Sequence, residues 1–293
     1  MQDAHPSTAH PALGLASLAA CAAAAAAILL GVPSLFGLLM QAPAIAGSGP
    51  AALGAAFTLV TFGLLALVAL AAIRLRGLPV PLGPRASLAA GGGLALGLVG
   101  FTVSVALCAL AGTAQLGMPA SQGAGLLLLE TVLLVIQSGA EEYYFRAWLQ
   151  ADLERRWGTW PALAAASLLF AALHFVAAAS EPLTFVTMLL GGLLFGLAYR
   201  KSGSLLFPWA IHFGWNWAEE LAFGLVPNPG TGPFGALLNI DMRGSPWWGG
   251  TEEGLNASLS SVFVLVALLG AVLAWPSAAD RPAPRLRKIP APG

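Results

Sequence analysis

Apolar residues run along this chain in long unbroken blocks, neither alternating at period two nor confined to one helical face. A helix needs ~20 mostly apolar residues to cross the hydrocarbon of a bilayer. Eight stretches reach or approach that length: Ala12–Val32, Ala51–Ile73, Ser87–Ala111, Gly123–Trp148, Trp160–Ala178, Pro182–Tyr199, Ser204–Val226 and Ala257–Trp275. Pro and Gly clusters separate them at Pro43–Pro50, Gly77–Pro84, Gly112–Pro119 and Pro227–Pro233, as expected of connecting turns. Outer-membrane strands are excluded, because they alternate apolar and polar residues. The pattern predicts an all-α polytopic membrane protein: an eight-helix transmembrane bundle forming a single domain over residues 1–275. Residues 276–293, rich in Pro, Ala and Arg, read as a basic, disordered cytoplasmic tail close to anionic lipid.

Lys and Arg concentrate on the cytoplasmic side of membrane proteins. With the loop between the second and third stretches inside, Arg74, Arg76, Arg85, Arg146, Arg155, Arg156, Arg200, Lys201 and the four basic residues of the tail all fall at or near inner ends. Of the 13 Lys and Arg, only Arg243 then falls outside. The expected location is the plasma (inner) membrane, with both termini cytoplasmic. The first apolar run lacks a positive region ahead of it and reads as a retained span rather than a secretion signal. Leu18-Ala19-Ala20-Cys21 resembles a lipoprotein cleavage box but lacks the same basic lead.

Composition narrows the function classes. Charged residues make up only 9% of the 293 residues, against about 25% in soluble domains, and the mean hydropathy is +0.80. A soluble enzyme and a disordered chain are both excluded. The formal net charge is +0, which removes nucleic acid as a partner. The two cysteines, Cys21 and Cys108, lie in apolar runs and suggest neither a disulfide framework nor a metal knuckle.

Against this background, ionisable residues inside the apolar blocks carry the information, because each one near the bilayer centre costs about 2.5–3.5 kcal/mol on insertion scales. The fourth stretch holds Glu130, Gln137, Glu141, Glu142 and Arg146. The fifth holds His174, and the seventh holds His212, Asn216, Glu219 and Glu220. Glu142 and Arg146 are four apart and can pair on one helical face, which leaves Glu141 turned elsewhere. His212 and Asn216 share a face, and Glu219 continues the stripe about 20° off. Counted inward from the predicted cytoplasmic ends, Glu141, His174 and His212 all lie on the order of 12–20 Å deep. Three helices can therefore present them to one cavity. A carboxylate and an imidazole can take a proton from water, and a second imidazole with an amide can hold an oxyanion. Hydrolysis by water is the chemistry these groups suit.

The three segments EEYYFR (141–146), FAALH (170–174) and HFGWN (212–216) resemble the EExxxR, FxxxH and HxxxN/D motifs of the CPBP family of intramembrane endopeptidases. That family includes the CAAX prenyl endopeptidases of the second type and bacteriocin-processing and immunity-related proteins; some bacterial relatives sort exported proteins by cleaving a C-terminal signal. The resemblance covers a catalytic core over residues 123–226. It implies that Glu141 and His174 activate water, that His212 and Asn216 form the oxyanion hole, and that Glu142 and Arg146 are structural. Gln137 and Glu219 are expected to support the site. The implied activity is hydrolysis of a peptide bond near the membrane-embedded end of a protein or lipidated peptide, and the implied partners are such a substrate and the lipid bilayer. No cofactor is expected. The alternatives are zinc held by Glu141, His174 and His212, a non-enzymatic immunity or scaffold protein, and a small-solute transporter.

Several features stand outside this set. Glu130 marks either a wet channel or a hydrogen bond to a neighbouring span. Gly93-x-x-x-Gly97 and Gly192-x-x-x-Gly196 fit close helix packing. Trp247 and Trp248, in the long loop Pro227–Asn256, read as interface anchors or as part of a substrate lid.

Overall fold

A computed structural model of the chain describes residues 11–83, 85–117, 123–177, 181–226, 228 and 230–275. The expected tail, along with His5 and His10, lies outside the described residues. The chain is mostly helical. Helix α1 spans Pro11–Leu39, and the short α2 spans Pro43–Ala46. They are followed by α3 (Pro50–Arg76), α4 (Ala86–Leu110) and α5 (Ala124–Glu142). Helix α5 continues through a π-helical stretch, Tyr143–Gln150, into α6 (Ala151–Trp157). Then come α7 (Thr159–Ala177), α8 (Pro182–Ser202), α9 (Leu206–Trp217) with a π-helical end at Ala218–Ala222, and α10 (Leu259–Ala274).

Local chemistry sets several of these ends. Pro50 and Pro182 sit in the first turns of α3 and α8, where a missing N–H leaves no bond unmade. Gly77 closes α3 at φ 57°, a left-handed backbone that only glycine adopts readily. Ser258 caps α10 by accepting a hydrogen bond from Ser261 N–H, as N-cap serines do.

Each of the apolar stretches coincides with a helical segment, and by length and composition alone five of the described helices are long and apolar enough to cross a membrane. They are Ala12–Leu39, Pro50–Arg76, Ala86–Leu110, Ala124–Trp157 and Pro182–Ser202. Thr159–Phe175 and Leu259–Ala274 are apolar but shorter, and α9 ends among the carboxylates of its π-helical turn. Apolar side chains such as Leu30, Leu67, Val99 and Phe263 are exposed on the outside of these helices, a surface suited to lipid rather than water.

Three expectations are revised. The first helix does not stop at Val32 but runs on through Pro33 to Leu39. The fold is not purely α: β1 (Ala114–Leu116) pairs antiparallel with β2 (Ile240–Met242). The segment read as a long loop is folded. Asn228 organises it by donating from Nδ2 to Thr251 O at 2.6 Å and Met242 O at 3.3 Å, while its Oδ1 accepts from Met242 N–H at 2.8 Å. This is the satisfaction that buried backbone groups require.

Three glycines set how closely α4 and α9 approach. Helices α4 and α9 cross at Gly93 and Gly97. A Cβ on Gly93 would stand 2.6 Å from Phe207 O, and one on Gly97 would overlap Ile211 O. In return, Gly214 of α9 sits against Leu94 O of α4, where a Cβ would be at 2.8 Å. Each of these contacts is with backbone, so no side chain can yield. The crossing fixes the stretch of α9 that carries His212. Replacing Gly97 with leucine is therefore expected to lower stability by about 1–3 kcal/mol, the usual range for overpacking. Thermal unfolding of the detergent-purified chain, followed by tryptophan fluorescence, measures it; an unchanged midpoint would contradict this account.

Candidate active site

Where α5 turns π-helical, two consecutive glutamates face different partners. Glu142 is fully buried and Arg146 is 1% exposed. Arg146 Nη1 donates to Glu142 Oε1 at 3.1 Å, and Nη2 donates to Gly192 O of α8 at 3.3 Å. The guanidinium also lies 4.9 Å and 5.1 Å from the ring centres of Phe170 and Phe195, close enough for cation–π attraction. Glu142 Oε1 additionally accepts from His212 Nδ1 at 2.9 Å. The Glu142–Arg146 pair thus ties α5, α8 and α9 together, the carboxylate reaching His212 of α9 and the guanidinium reaching Gly192 O of α8, through charge-assisted hydrogen bonds.

Glu141 points the other way. Its side chain is buried, and its Oε2 atom has no hydrogen-bond partner among the described residues. That oxygen faces two imidazoles, with His174 Nε2 at 3.7 Å and His212 Nε2 at 4.0 Å. Each ring is held by its other nitrogen. His174 Nδ1 bonds to Phe170 O, one helical turn earlier, at 2.8 Å, and His212 Nδ1 bonds to Glu142. A carbonyl and a carboxylate only accept, so both Nδ1 atoms carry the proton, and both Nε2 atoms are left for other partners. The tautomers are thus set by the bonds the other nitrogen makes.

Phe170 has three roles. Its carbonyl orients His174, its ring packs on His174 at 4.2 Å, and the same ring lies beneath Arg146. Phe195 stacks on His212 with ring centres 4.6 Å apart and planes within 15°. Two aromatic rings therefore stand between the guanidinium and the imidazoles.

Glu141, His174, His212 and Asn216 all line one cavity of about 390 Å³. Gln137, Glu219, Glu220 and Asn256 also line it, and its apolar wall includes Met188, Leu194, Trp215 and Leu265. Asn216 and Gln137 bring amide groups to the cavity lining. Glu142 and Arg146 stand behind the wall. Among the described residues, no group of three or more His, Cys, Asp and Glu side chains has the arrangement of a metal site.

Two participants, Gln150 and Asn256, escaped the sequence reading. Gln150, 1% exposed, donates to Gly196 O at 3.1 Å, repeating one turn on what Arg146 does to Gly192 O. The Gly192-x-x-x-Gly196 pair therefore offers carbonyl acceptors as well as close approach. Asn256 donates from Nδ2 to Glu219 Oε1 at 3.0 Å, from a segment distant in sequence. Glu130 lies beside Glu220, so it meets a neighbouring span, one of the two readings given for it above. The spacing of Arg146 and Gln150 on one face, matched to the spaced glycines, was a usable signal; nothing local marked Asn256.

The buried pair yields a stability prediction. Arg146→Leu leaves Glu142 charged and buried with only His212 beside it. Breaking a buried pair from one side typically costs about 3–5 kcal/mol. The variant is expected to show a markedly lower unfolding midpoint than Glu154→Gln, a substitution beyond the buried pair on the same helical path. Equal midpoints would show that the pair does not carry the fold.

Comparison with known proteins bears on this arrangement. No curated protein and no solved structure matches the chain. One family model matches, described as type II CAAX prenyl endopeptidase Rce1-like, over residues 123–218. The matched segment contains Glu141, Glu142, Arg146, Phe170, His174, His212 and Asn216, the residues that build the carboxylate–imidazole cluster and its buried arginine. That family consists of intramembrane endopeptidases; segment 123–218, about a third of the chain, is similar to the Rce1-like type II CAAX prenyl endopeptidases of the CPBP group, which supports a protease, and the long apolar helices fit a multi-pass membrane protein.

Proposed function

We propose that this protein is a glutamate-type intramembrane endopeptidase that hydrolyses a peptide bond near the membrane-embedded C-terminal end of a protein or lipidated peptide. One observation carries the reading. A buried carboxylate oxygen without a hydrogen-bond partner faces the Nε2 atoms of two oriented imidazoles, on the wall of a cavity lined by both apolar and polar side chains. Glu141 Oε2 and His174 Nε2 are both acceptors, and their 3.7 Å separation suits a water that donates to each.

In this reading Glu141 takes a proton from that water as its oxygen attacks the scissile carbonyl carbon. The carbonyl oxygen becomes an oxyanion, held by the Asn216 amide N–H and by the His212 ring. Such donors stabilise charge that develops only in the transition state. The proton on Glu141 then passes to the leaving nitrogen, and the C–N bond breaks. Glu142 and Arg146 hold His212 without touching the substrate.

The reading includes eight membrane-crossing helices in the inner (plasma) membrane, forming one domain over residues 1–275 around a catalytic core at 123–226. The start of α1 and the end of α10 lie on the cytoplasmic side. The distribution of Lys and Arg supports this orientation. No resident metal is part of the mechanism.

The Glu141→Gln variant is expected to lose about 10²–10⁴-fold in cleavage rate, the usual contribution of a general base, while keeping the wild-type unfolding midpoint. Profiling protein C-termini in membranes with and without this change reads the loss directly. If no termini change while deletion of the protein still has a phenotype, the chain acts as a binding protein instead. Cleavage is also expected to survive chelator treatment. Loss that zinc restores would assign Glu141, His174 and His212 to a metal.

A further inference from the structure

The matched segment ends at residue 218, but the cavity does not. Beyond His212 and Asn216, the same helix carries Glu219 and Glu220 onto the cavity wall, and Asn256 joins them from just before α10. This second region is built deliberately. Glu253 accepts from Glu181 N–H at 3.0 Å and from Thr184 Oγ1 at 2.5 Å, which fixes it at the start of α8. Thr187 Oγ1 donates to Asn256 O at 2.6 Å. Asn256 is thereby held against α8, and its amide orients the Glu219 carboxylate.

The groups presented there are almost all acceptors: the free oxygen of Glu219, the Glu220 carboxyl and Asn256 Oδ1. Glu130 adds a further carboxyl behind Glu220. No Lys or Arg is among the described residues lining the cavity. Glu141, 4% exposed and with an unpartnered Oε2, opens into the same space. Buried carboxylates without cations are unfavourable unless they are neutralised, and a donor-rich cation seated between Glu219 and Glu220 would supply that neutralisation at this end of the cavity.

We infer that Glu219, Glu220 and Asn256 form a specificity subsite that binds a lysine or arginine side chain of an otherwise apolar peptide substrate. The inference rests on the cavity being the peptide site of the hydrolase proposed above. Seven residues separate His212 from Glu219, roughly 10 Å along the helix. An extended peptide advances about 3.3 Å per residue, so the basic side chain stands about three residues from the scissile bond.

The test uses the full-length chain in phosphatidylcholine nanodiscs, where the lipid carries no net charge to attract a cation. Two dansyl-labelled, leucine-rich peptides are compared, identical except for lysine or norleucine at one central position. Binding is read by energy transfer from tryptophan. The lysine peptide is expected to bind about tenfold tighter or better, the scale of a desolvated charge pair. The ratio of the two affinities is expected to fall toward one in Glu219→Gln and Glu220→Gln. Equal affinities in the wild type, no binding of either peptide, or a lysine preference that survives both substitutions would overturn the subsite. Should either variant fail to fold, the wild-type ratio decides by itself. Binding is measured without turnover, so absence of cleavage by Glu141 and absence of the subsite are separate results.

Discussion

A guanidinium in the middle of an apolar bundle must be neutralised and fully hydrogen-bonded, and much of this structure is arranged around that requirement. Arg146 is buried with Glu142 beside it, a backbone carbonyl of α8 across from it and aromatic faces around it. The desolvation penalty of such a pair is several kcal/mol per ion, so the pair is a weak source of stability. What it supplies is position: the carboxylate that neutralises Arg146 is also the acceptor that orients His212.

That sharing explains why two adjacent glutamates have opposite surroundings. Glu142 Oε1 accepts from both Arg146 and His212. Glu141 has its Oε2 turned toward nitrogens that are themselves held from behind. Charge neutralisation takes place on the buried side and reactive groups gather on the cavity side, with the rings of Phe170 and Phe195 between them. The same economy appears on α8, where Gly192 and Gly196 let a neighbouring helix approach and then accept hydrogen bonds from Arg146 and Gln150 through their carbonyls.

The cavity joins two kinds of wall. Its apolar lining suits a peptide segment that comes from the bilayer, and its polar groups converge from α5, α7, α9 and the turn before α10. The folded segment between β2 and α10 matters here, because it brings Asn256 to the cavity and closes the start of α8 with Glu253.

Much of this was readable along the chain. Blocks of apolar residues identify a membrane protein because a helix must satisfy its backbone internally in lipid. Ionisable residues within those blocks stand out because they are costly there. The pairing of Glu142 with Arg146 follows from a four-residue spacing, which places two side chains on one face. Other features belong only to the assembled fold. The β1–β2 pairing joins segments far apart in sequence. The junction of Glu142 with His212 spans 70 positions, and that of Asn256 with Glu219 spans 37. Local periodicity determines which face of a helix a side chain occupies. Only packing decides which other helix that face meets, because the meeting depends on how closely backbones approach at Gly93, Gly97 and Gly214, and no single helix contains that information.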